Sequence, residues 1–209
     1  MAFSREINTI LEKIDGYKPI QLPFKINSLE PVISSETNNF HFNEHYKGYV
    51  KKLNKAMGAR RKPPLVELVK NINNYNDKVR DNAGGAYNHQ LFFNMLKPGG
   101  STLTGELDRM IKKRYGSFAN FKSKFIENAM SQFGSGWGWL VEKDGRLDIV
   151  KTPNQDNPLM HNMGRPILGV DVWEHAYYLT YGPKRKEWLN KFFDIINWEF
   201  CSALLLANA

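Results

Sequence analysis

The stretch Asp171-Val-Trp-Glu-His-Ala-Tyr-Tyr178 decides how this sequence is interpreted. If the stretch is helical, Asp171 and His175 lie four residues apart and therefore on one helical face. A carboxylate oxygen and an imidazole nitrogen can then bind one divalent or trivalent transition-metal ion. The aromatic side chains between and after them predict a dry surrounding, where an ionised Asp is costly unless it is paired or metal-bound. The alternative is an ordinary Asp–His contact in a hydrophobic core.

Histidines in two further apolar segments offer additional ligands. One predicted helix places His41, His45 and Tyr49 on a single face, because they are spaced by four residues. A second predicted helix carries His89 among apolar and aromatic side chains. Three imidazoles and one carboxylate, without a thiolate, suit manganese, iron or zinc. Any one of these histidines alone is more often an ordinary core or surface residue.

Hydrophobic periodicity predicts an all-helical first half and a mixed second half. Asp144-Gly145 between two apolar runs is a strong hairpin signal, and residues 166–170 supply a third strand that leads into Asp171. The predicted helices cover residues 34–58, 65–72, 82–96, 102–115, 117–132, 183–195 and 198–207. The fold class is therefore α+β, with an N-terminal helical hairpin domain followed by an α/β domain with a three-stranded antiparallel sheet. The predicted divisions are an N-terminal extension (1–20), the helical hairpin domain (21–100) and the α+β domain (101–209).

The composition narrows the functional classes. The 209 residues carry a formal net charge of +8 and a single cysteine, Cys201, which excludes an intrachain disulfide and a thiolate metal cage. A basic chain favours anionic partners, but its Lys and Arg are scattered, so we expect solvated faces and no nucleic-acid partner. The sequence shows neither an apolar run of about 18 residues nor a secretory signal, so we expect no membrane partner. We expect a cytoplasmic location, with a mitochondrial or other organellar one as the alternative. The motifs of serine hydrolases, dinucleotide-binding folds, P-loops and HExxH proteases are missing.

Short motifs along the chain carry a family resemblance. They are His41 with Tyr49-Val50 and Leu53-Asn54, Asn88-His89, Phe133-Gly-Ser-Gly-Trp137, Asp171 to Tyr178, and Asn197-Trp198. With these motifs in this order, the sequence resembles the iron/manganese superoxide dismutases from about residue 21 to the C-terminus. The two-domain fold of that family agrees with the elements predicted above.

The resemblance implies one metal centre with a set of residues around it. The metal ligands would be His41, His89, Asp171 and His175. Tyr49 and His45 would line the funnel through which superoxide arrives, and Gln155 would hydrogen-bond the solvent molecule on the metal. The residues that wall the pocket would be Trp137 and Trp173. Glu174 would reach the partner's His175 and Tyr178 the partner's His45, which implies a homodimer or a tetramer.

The implied activity is the disproportionation of superoxide to dioxygen and hydrogen peroxide by a redox-cycling mononuclear ion. In this family the iron type carries an outer glutamine on the second ligand helix, where this chain has Gly85. The manganese type carries it after the hairpin, as in Gln155 here. Gly84, Phe92 and Gly169 also resemble the manganese pattern. We therefore expect one manganese ion per subunit, with iron as the alternative.

One position departs from the manganese pattern. Manganese members usually have Trp where this chain has Phe93, which fills an apolar wall but lacks the indole N–H donor. Two other functions stay open at this point. One is a non-catalytic, metal-stabilised binding protein with a basic surface, which a missing ligand would favour. The other is a different oxidation on the same fold, which a widened pocket would favour.

Overall fold

The computed structural model describes residues 18–59 and 62–207. Residues 1–17, most of the expected N-terminal extension, lie outside the described residues. The described part is α+β, as the sequence predicts: a helical hairpin precedes an α/β part that contains an antiparallel sheet. Among these residues, no helix combines the length and apolar character that crossing a bilayer requires.

The helices and strands follow the predicted order along the chain. The α-helices are α1 (Ser35–Asn39), α2 (Lys47–Met57), α3 (Leu65–Lys70), α4 (Asp77–Asn94), α5 (Gly105–Tyr115), α6 (Phe118–Met130), α7 (Tyr178–Tyr181), α8 (Arg185–Phe192) and α9 (Trp198–Leu206). The strands are β1 (Gly136–Lys143), β2 (Arg146–Pro153) and β3 (Arg165–Asp171). Short 3₁₀ turns occur at Ile72–Asn74, Glu174–Ala176 and Phe193–Ile195.

The first long helix carries an irregularity that the sequence did not predict. Between α1 and α2 the chain continues as a π-helical segment, Phe40–Tyr46, so the three pieces form one helical run. Its ends lie where the sequence places them. The Ser34 side chain accepts a hydrogen bond from Thr37 N at 3.1 Å, and Gly58 adopts a positive φ of 57°. π-Helical turns are often found at functional sites, and this one carries two of the candidate site histidines.

The second long helix, α4, begins earlier than predicted. Its N-cap is Asn76, whose side chain accepts from Val79 N at 3.1 Å, so the helix starts at Asp77 rather than near residue 82. The capping signal was present in the sequence as Asn76-Asp77. Helix α4 packs against α2 on one side and against β3 on another, so it joins the hairpin to the sheet.

The sheet has the predicted hairpin at one edge. The described strands form one antiparallel sheet in the order β2-β1-β3. Asp144 and Gly145 have φ values of 51° and 75°, the left-handed conformation that a two-residue type I′ turn requires. Trp137 of β1 pairs with Asp171 at the end of β3, so the strand register already brings a wall residue beside a candidate ligand.

Aromatic packing fixes the sheet behind the candidate site. The Trp137 and Trp139 rings stack with centroids 5.3 Å apart, and Trp139 Nε1 donates to Thr152 Oγ1 at 2.9 Å. The Trp188 indole, from α8, donates to the backbone oxygen of Asp171 at 2.9 Å. All three Trp side chains are fully buried. The end of β3 is therefore held from both sides.

Candidate metal centre

Asp171 and His175 meet, but not on a helix as the sequence reasoning assumed. Asp171 ends β3, and His175 lies in the turn Glu174–Ala176. The Asp171 Oδ1 atom accepts from the backbone N–H of Trp173 at 2.8 Å, a local turn typical of Asp. His175 Nε2 consequently lies 3.2 Å from Asp171 Oδ2. The helical premise is wrong because strand pairing continues through Asp171, whereas the turn that follows keeps the two side chains together.

Four potential ligand atoms converge on one point. His41 Nε2 lies 3.1 Å and His89 Nε2 3.6 Å from the same Asp171 Oδ2 atom. Together with His175, the ligand atoms of the group all lie within 4.8 Å of one another. The helical hairpin supplies His41 and His89, and the α/β part supplies Asp171 and His175. The structure thus brings together the four residues that the sequence singled out as ligands.

The donor set fits a metal ion on an independent observation. His89 Nδ1 lies 2.8 Å from Gly85 O, and because a carbonyl only accepts, Nδ1 carries the hydrogen and Nε2 carries the free lone pair. That Nε2 atom is buried without a hydrogen-bond partner. Leaving a buried polar atom unsatisfied costs about 1–3 kcal/mol. A cation among the four ligand atoms would satisfy it, and the nitrogen and oxygen donors suit manganese or iron.

The protonation states favour metal binding. Burial lowers the pKa of His41 and of His89, so both rings are neutral and their lone pairs are available at pH 7. Burial opposes ionisation of Asp171, but the charge of His175 and hydrogen bonds from His175 and His41 outweigh it and hold the pKa of that carboxyl below its usual range. The site therefore combines an ionised carboxylate with the neutral imidazoles of His41 and His89.

Two glycines of α4 allow close approach of other elements, as their position inside a helix predicts. A Cβ atom on Gly85 would collide with the ring of Tyr49, and one on Gly84 would collide with the carbonyl oxygen of Gln155. Any side chain at either position would therefore displace α2 or the loop after β2. The glycines lower the stability of the helix itself but permit the pocket wall to form.

Gln155 connects the polar groups of the pocket. Its Nε2 donates to Tyr49 Oη at 3.1 Å. Its Oε1 accepts from Trp137 Nε1 at 3.2 Å and from Asn88 Nδ2 at 3.3 Å. The same Asn88 group donates to the backbone oxygen of Gln155 at 3.0 Å. Both the side chain and the main chain of Gln155 are thus held, and the buried amide has a fixed orientation.

The remaining predicted pocket residues surround His175. The His45 ring stacks on His175 with centroids 4.0 Å apart, and Trp173 stacks on it at 5.5 Å. Burial, together with His175 and His41, lowers the pKa of His45 to about 4, so this ring is neutral at pH 7. Trp173 Nε1 donates to Asn154 O at 2.9 Å, which fixes the indole beside the loop that carries the pocket amide.

Aromatic rings close the hairpin side of the centre. Phe93 lies edge-on to His41 with ring centroids 5.2 Å apart, and Phe92 lies 5.3 Å from the same imidazole. Both phenyl rings are buried. Phe93 thus fills an apolar wall beside His41.

Glu174 and Tyr178 do not take part in the metal centre of their own chain. Both side chains are exposed, Tyr178 to 49%. Sequence reasoning, in turn, gave no role to two residues that hold the site, Asn88 and Trp188. Asn88 could have been suspected because it directly precedes His89, whereas the contact of Trp188 with the Asp171 backbone depends on how α8 docks.

A helical hairpin and an antiparallel α/β part that share a three-histidine, one-aspartate centre define a metal-binding protein. Two family models match the chain: iron/manganese superoxide dismutases, alpha-hairpin domain, over residues 16–97, and the C-terminal domain of the same family over residues 103–204. A superoxide dismutase [Mn] of Listeria innocua is 41% identical over 191 residues, which cover 88% of this chain and 94% of that protein. The chain belongs to the iron/manganese superoxide dismutase family.

Family membership confirms the activity and substrate implied by the sequence. The chain disproportionates superoxide to dioxygen and hydrogen peroxide, and the group His41, His89, Asp171 and His175 is its metal site. All four donors are present and buried or half-buried. Nothing in the described residues supports the alternative of a non-catalytic binding protein.

Replacing His89 with Leu should abolish metal binding while leaving the fold intact. We expect affinity for manganese to fall by far more than the roughly 10–100-fold that the loss of a residue behind a ligand costs. Metal content by mass spectrometry and thermal unfolding with and without added metal would measure this. Wild-type protein should gain about 2.7 kcal/mol at a metal concentration of 100 Kd, and the variant should gain nothing.

The matched control is His161→Leu, since His161 lies outside the metal group. This control should bind metal as the wild-type protein does. Equal metal content in His89→Leu and the wild type would contradict the assignment of His89.

Proposed function

We propose that the chain is a manganese-dependent superoxide dismutase with one ion per subunit. The observation that carries the choice of metal is the crowding at Gly85, where the ring of Tyr49 occupies the space of a side chain. An outer glutamine on α4, the iron-type arrangement, would not fit there. The amide beside Tyr49 comes instead from Gln155, as in the manganese-type pattern. Similarity to a Listeria innocua protein named as a manganese enzyme supports the same choice.

Tyr49 is the proton donor in this proposal. The bound metal supplies one-electron exchange with superoxide, while side chains supply protons, orientation and exclusion of water. Burial raises the pKa of Tyr49 to about 12, so the phenol keeps its proton at neutral pH. Because Tyr49 Oη accepts from Gln155, its own O–H can donate to the substrate. This is a general-acid role in peroxide formation.

Gln155 is proposed to set the potential of the metal. Its Nε2 group carries two hydrogens, and one of them goes to Tyr49. The second can donate to the solvent ligand of the metal, and hydrogen bonds of this kind tune a bound ion. Donation from Trp137 and Asn88 to Oε1 fixes which end of the amide faces the pocket. A flipped amide would lose both of these bonds.

The surroundings are proposed to collect the anionic substrate. His45 lies half-buried and stacks on His175, which supports a position at the mouth of the funnel. Trp137 and Trp173 wall the pocket and exclude water. The formal net charge of +8 supports attraction of superoxide, since a positive field raises the association rate of small anions.

We also propose a homodimer formed beside the site. Glu174, Tyr178 and Phe133 are exposed, Phe133 to 98%. Arg185 links the chain segments that carry Phe133 and Tyr178, because it donates to Gly134 O at 2.9 Å and to Tyr177 Oη at 3.1 Å. Contiguous exposed apolar surface rimmed by polar residues is typical of an interface. In the dimer, Glu174 would bond the partner's His175 and Tyr178 the partner's His45.

We also propose a domain boundary near residue 100. The two family-model matches leave residues 98–102 between them, which supports a boundary near residue 100. A cytoplasmic location and the tetramer alternative stay predictions.

Stripping the metal and reloading the protein tests the metal preference. We expect full dismutase activity with manganese and at least about tenfold less with iron, because the outer glutamine sets the potential for one metal. Activity per bound ion, from rapid-mixing kinetics and metal analysis, is the measurement. Equal activity with both metals would contradict manganese dependence, and inactivity with either would contradict the enzyme itself.

The variant Gln155→Leu should retain manganese but lose about 10–100-fold in turnover, because an apolar side chain cannot bond the solvent ligand. The control is Gln132→Leu, which removes another buried amide, one that donates to the backbone oxygens of Phe133 and Ser135. Turnover and the reduction potential should change in the first variant only. Wild-type turnover in Gln155→Leu would refute the role of Gln155.

The variant Glu174→Ala should weaken the dimer, since each interface loses one partner of a charged hydrogen bond. Loss of one such partner costs about 2–5 kcal/mol, and the two-fold interface loses two, so the dissociation constant should rise by at least about 30-fold. Sedimentation at falling protein concentration measures it. The control is Glu67→Ala on the exposed face of α3, and an unaltered dimer in Glu174→Ala would sink the proposed contact.

A further inference from the structure

A second cluster of charged side chains lies outside the metal centre, on the loop that follows β2. Arg80 of α4 binds both carboxylate oxygens of Asp156, with Nε 3.0 Å from Oδ1 and Nη2 2.7 Å from Oδ2. His161 Nε2 lies 2.7 Å from the same Oδ2 atom. The side chains of Arg80 and Asp156 are 28% and 16% exposed, so the pair is partly shielded from water. Two parallel bonds fix the orientation of the carboxylate as well as its distance.

Asp156 directly follows Gln155, and one helix holds both. Arg80, Gly84 and Asn88 are spaced by four residues and form a stripe along α4. Arg80 binds the Asp156 carboxylate, Gly84 lies against the Gln155 carbonyl, and Asn88 donates to that carbonyl at 3.0 Å. The residue after the stripe is His89. The same helix therefore positions a metal ligand and the loop that carries the pocket amide.

The sheet holds Asp156 from the other side. Thr152 Oγ1 donates to the Asp156 backbone oxygen at 2.6 Å, and it accepts from the Trp139 indole at 2.9 Å. The Asp156 N–H donates to Pro153 O at 3.0 Å. Main-chain bonds to β2 and side-chain bonds to α4 thus converge on this one residue.

We propose that Asp156, bound by Arg80 and His161, is a positioning residue that sets the place of the Gln155 amide in the pocket. The inference rests on the proposed role of Gln155. Loops hold side chains less precisely than helices, and a catalytic group needs placement to within about 0.5 Å. Because Asp156 is bound to Arg80 of α4, the loop at Gln155 is held in position as firmly as the helix.

The charge on Asp156 is present throughout the pH range of an assay. Burial opposes its ionisation, but hydrogen bonds from Arg80 and His161, with their charges, outweigh burial and hold the pKa of the carboxyl below its usual range. Replacing Asp156 by Asn therefore removes a real charge and one of the two bonds to Arg80, while the volume of the side chain stays nearly constant.

The experiment compares Asp156→Asn with Glu142→Gln in the manganese-loaded protein. Glu142 pairs with Arg165 at 3.0 Å, and the Glu142 and Arg165 side chains are 17% and 25% exposed, so this pair matches the first in burial. We expect Asp156→Asn to lower kcat about tenfold with KM unchanged. Glu142→Gln should lose similar stability in thermal unfolding and keep kcat. Equal kcat in Asp156→Asn and wild-type protein, together with reduced turnover in Gln155→Leu, would overturn the proposal.

An NMR measurement on the metal-free protein reports the position of the Gln155 amide independently of turnover. The side-chain amide resonance of Gln155, assigned by its loss in Gln155→Leu, should shift in Asp156→Asn and stay in place in Glu142→Gln. An unmoved resonance in Asp156→Asn overturns the positioning role. If the resonance moves and Gln155→Leu nevertheless keeps full turnover, positioning is supported and the proposed role of Gln155 fails instead.

His161 supplies a milder pair of variants that leaves the Arg80 bonds in place. His161→Ala removes a donor to Asp156, whereas the amide nitrogen of Gln in His161→Gln reaches about where the imidazole Nε2 lies and can still donate. The proposal expects a loss of kcat in His161→Ala and its recovery in His161→Gln. Equal loss in both variants would assign the effect to packing and overturn this part of the cluster.

Discussion

One carboxylate oxygen determines how this chain can fold. Asp171 Oδ2 lies 3.1–3.6 Å from imidazole nitrogens of three histidines that come from three different segments. An ionised carboxylate in a dry interior is costly unless cations or donors surround it. Satisfying this oxygen therefore requires the helical hairpin and the end of β3 to approach each other. A cation at their meeting point would hold the two halves of the molecule together as well as act in catalysis.

Helix α4 is the frame on which the other parts of the pocket are arranged. It carries His89 and presents two glycines to which Tyr49 and the loop of Gln155 fit closely. Asn88 then bonds both the carbonyl and the side-chain oxygen of Gln155. His89 belongs to α4, and both the Gln155 loop and Tyr49 pack against this helix. The distances between these three groups therefore do not depend on the flexibility of the loop. This explains why helix-weakening glycines are tolerated in the middle of a buried helix.

The sequence predicted which residues form the site better than it predicted the secondary structure on which they lie. Spacing by four residues identified His41, His45 and Tyr49 as one face. Asp171 was placed on a helix because four-residue spacing suits a helix, whereas pairing of β3 with Trp137 keeps it in a strand. The contact of Arg80 with Asp156 spans 76 positions along the chain, so no local pattern could reveal it.

The π-helical segment Phe40–Tyr46 has a consequence for how this chain can change in evolution. Each residue of an α-helix turns the chain by about 100°, so the facing direction of every side chain depends on the number of residues before it. Deleting one residue of the segment would restore regular helical winding. The same deletion would rotate His41 away from Asp171 relative to Tyr49. The number of residues in this helix is therefore constrained by the directions in which its side chains must point.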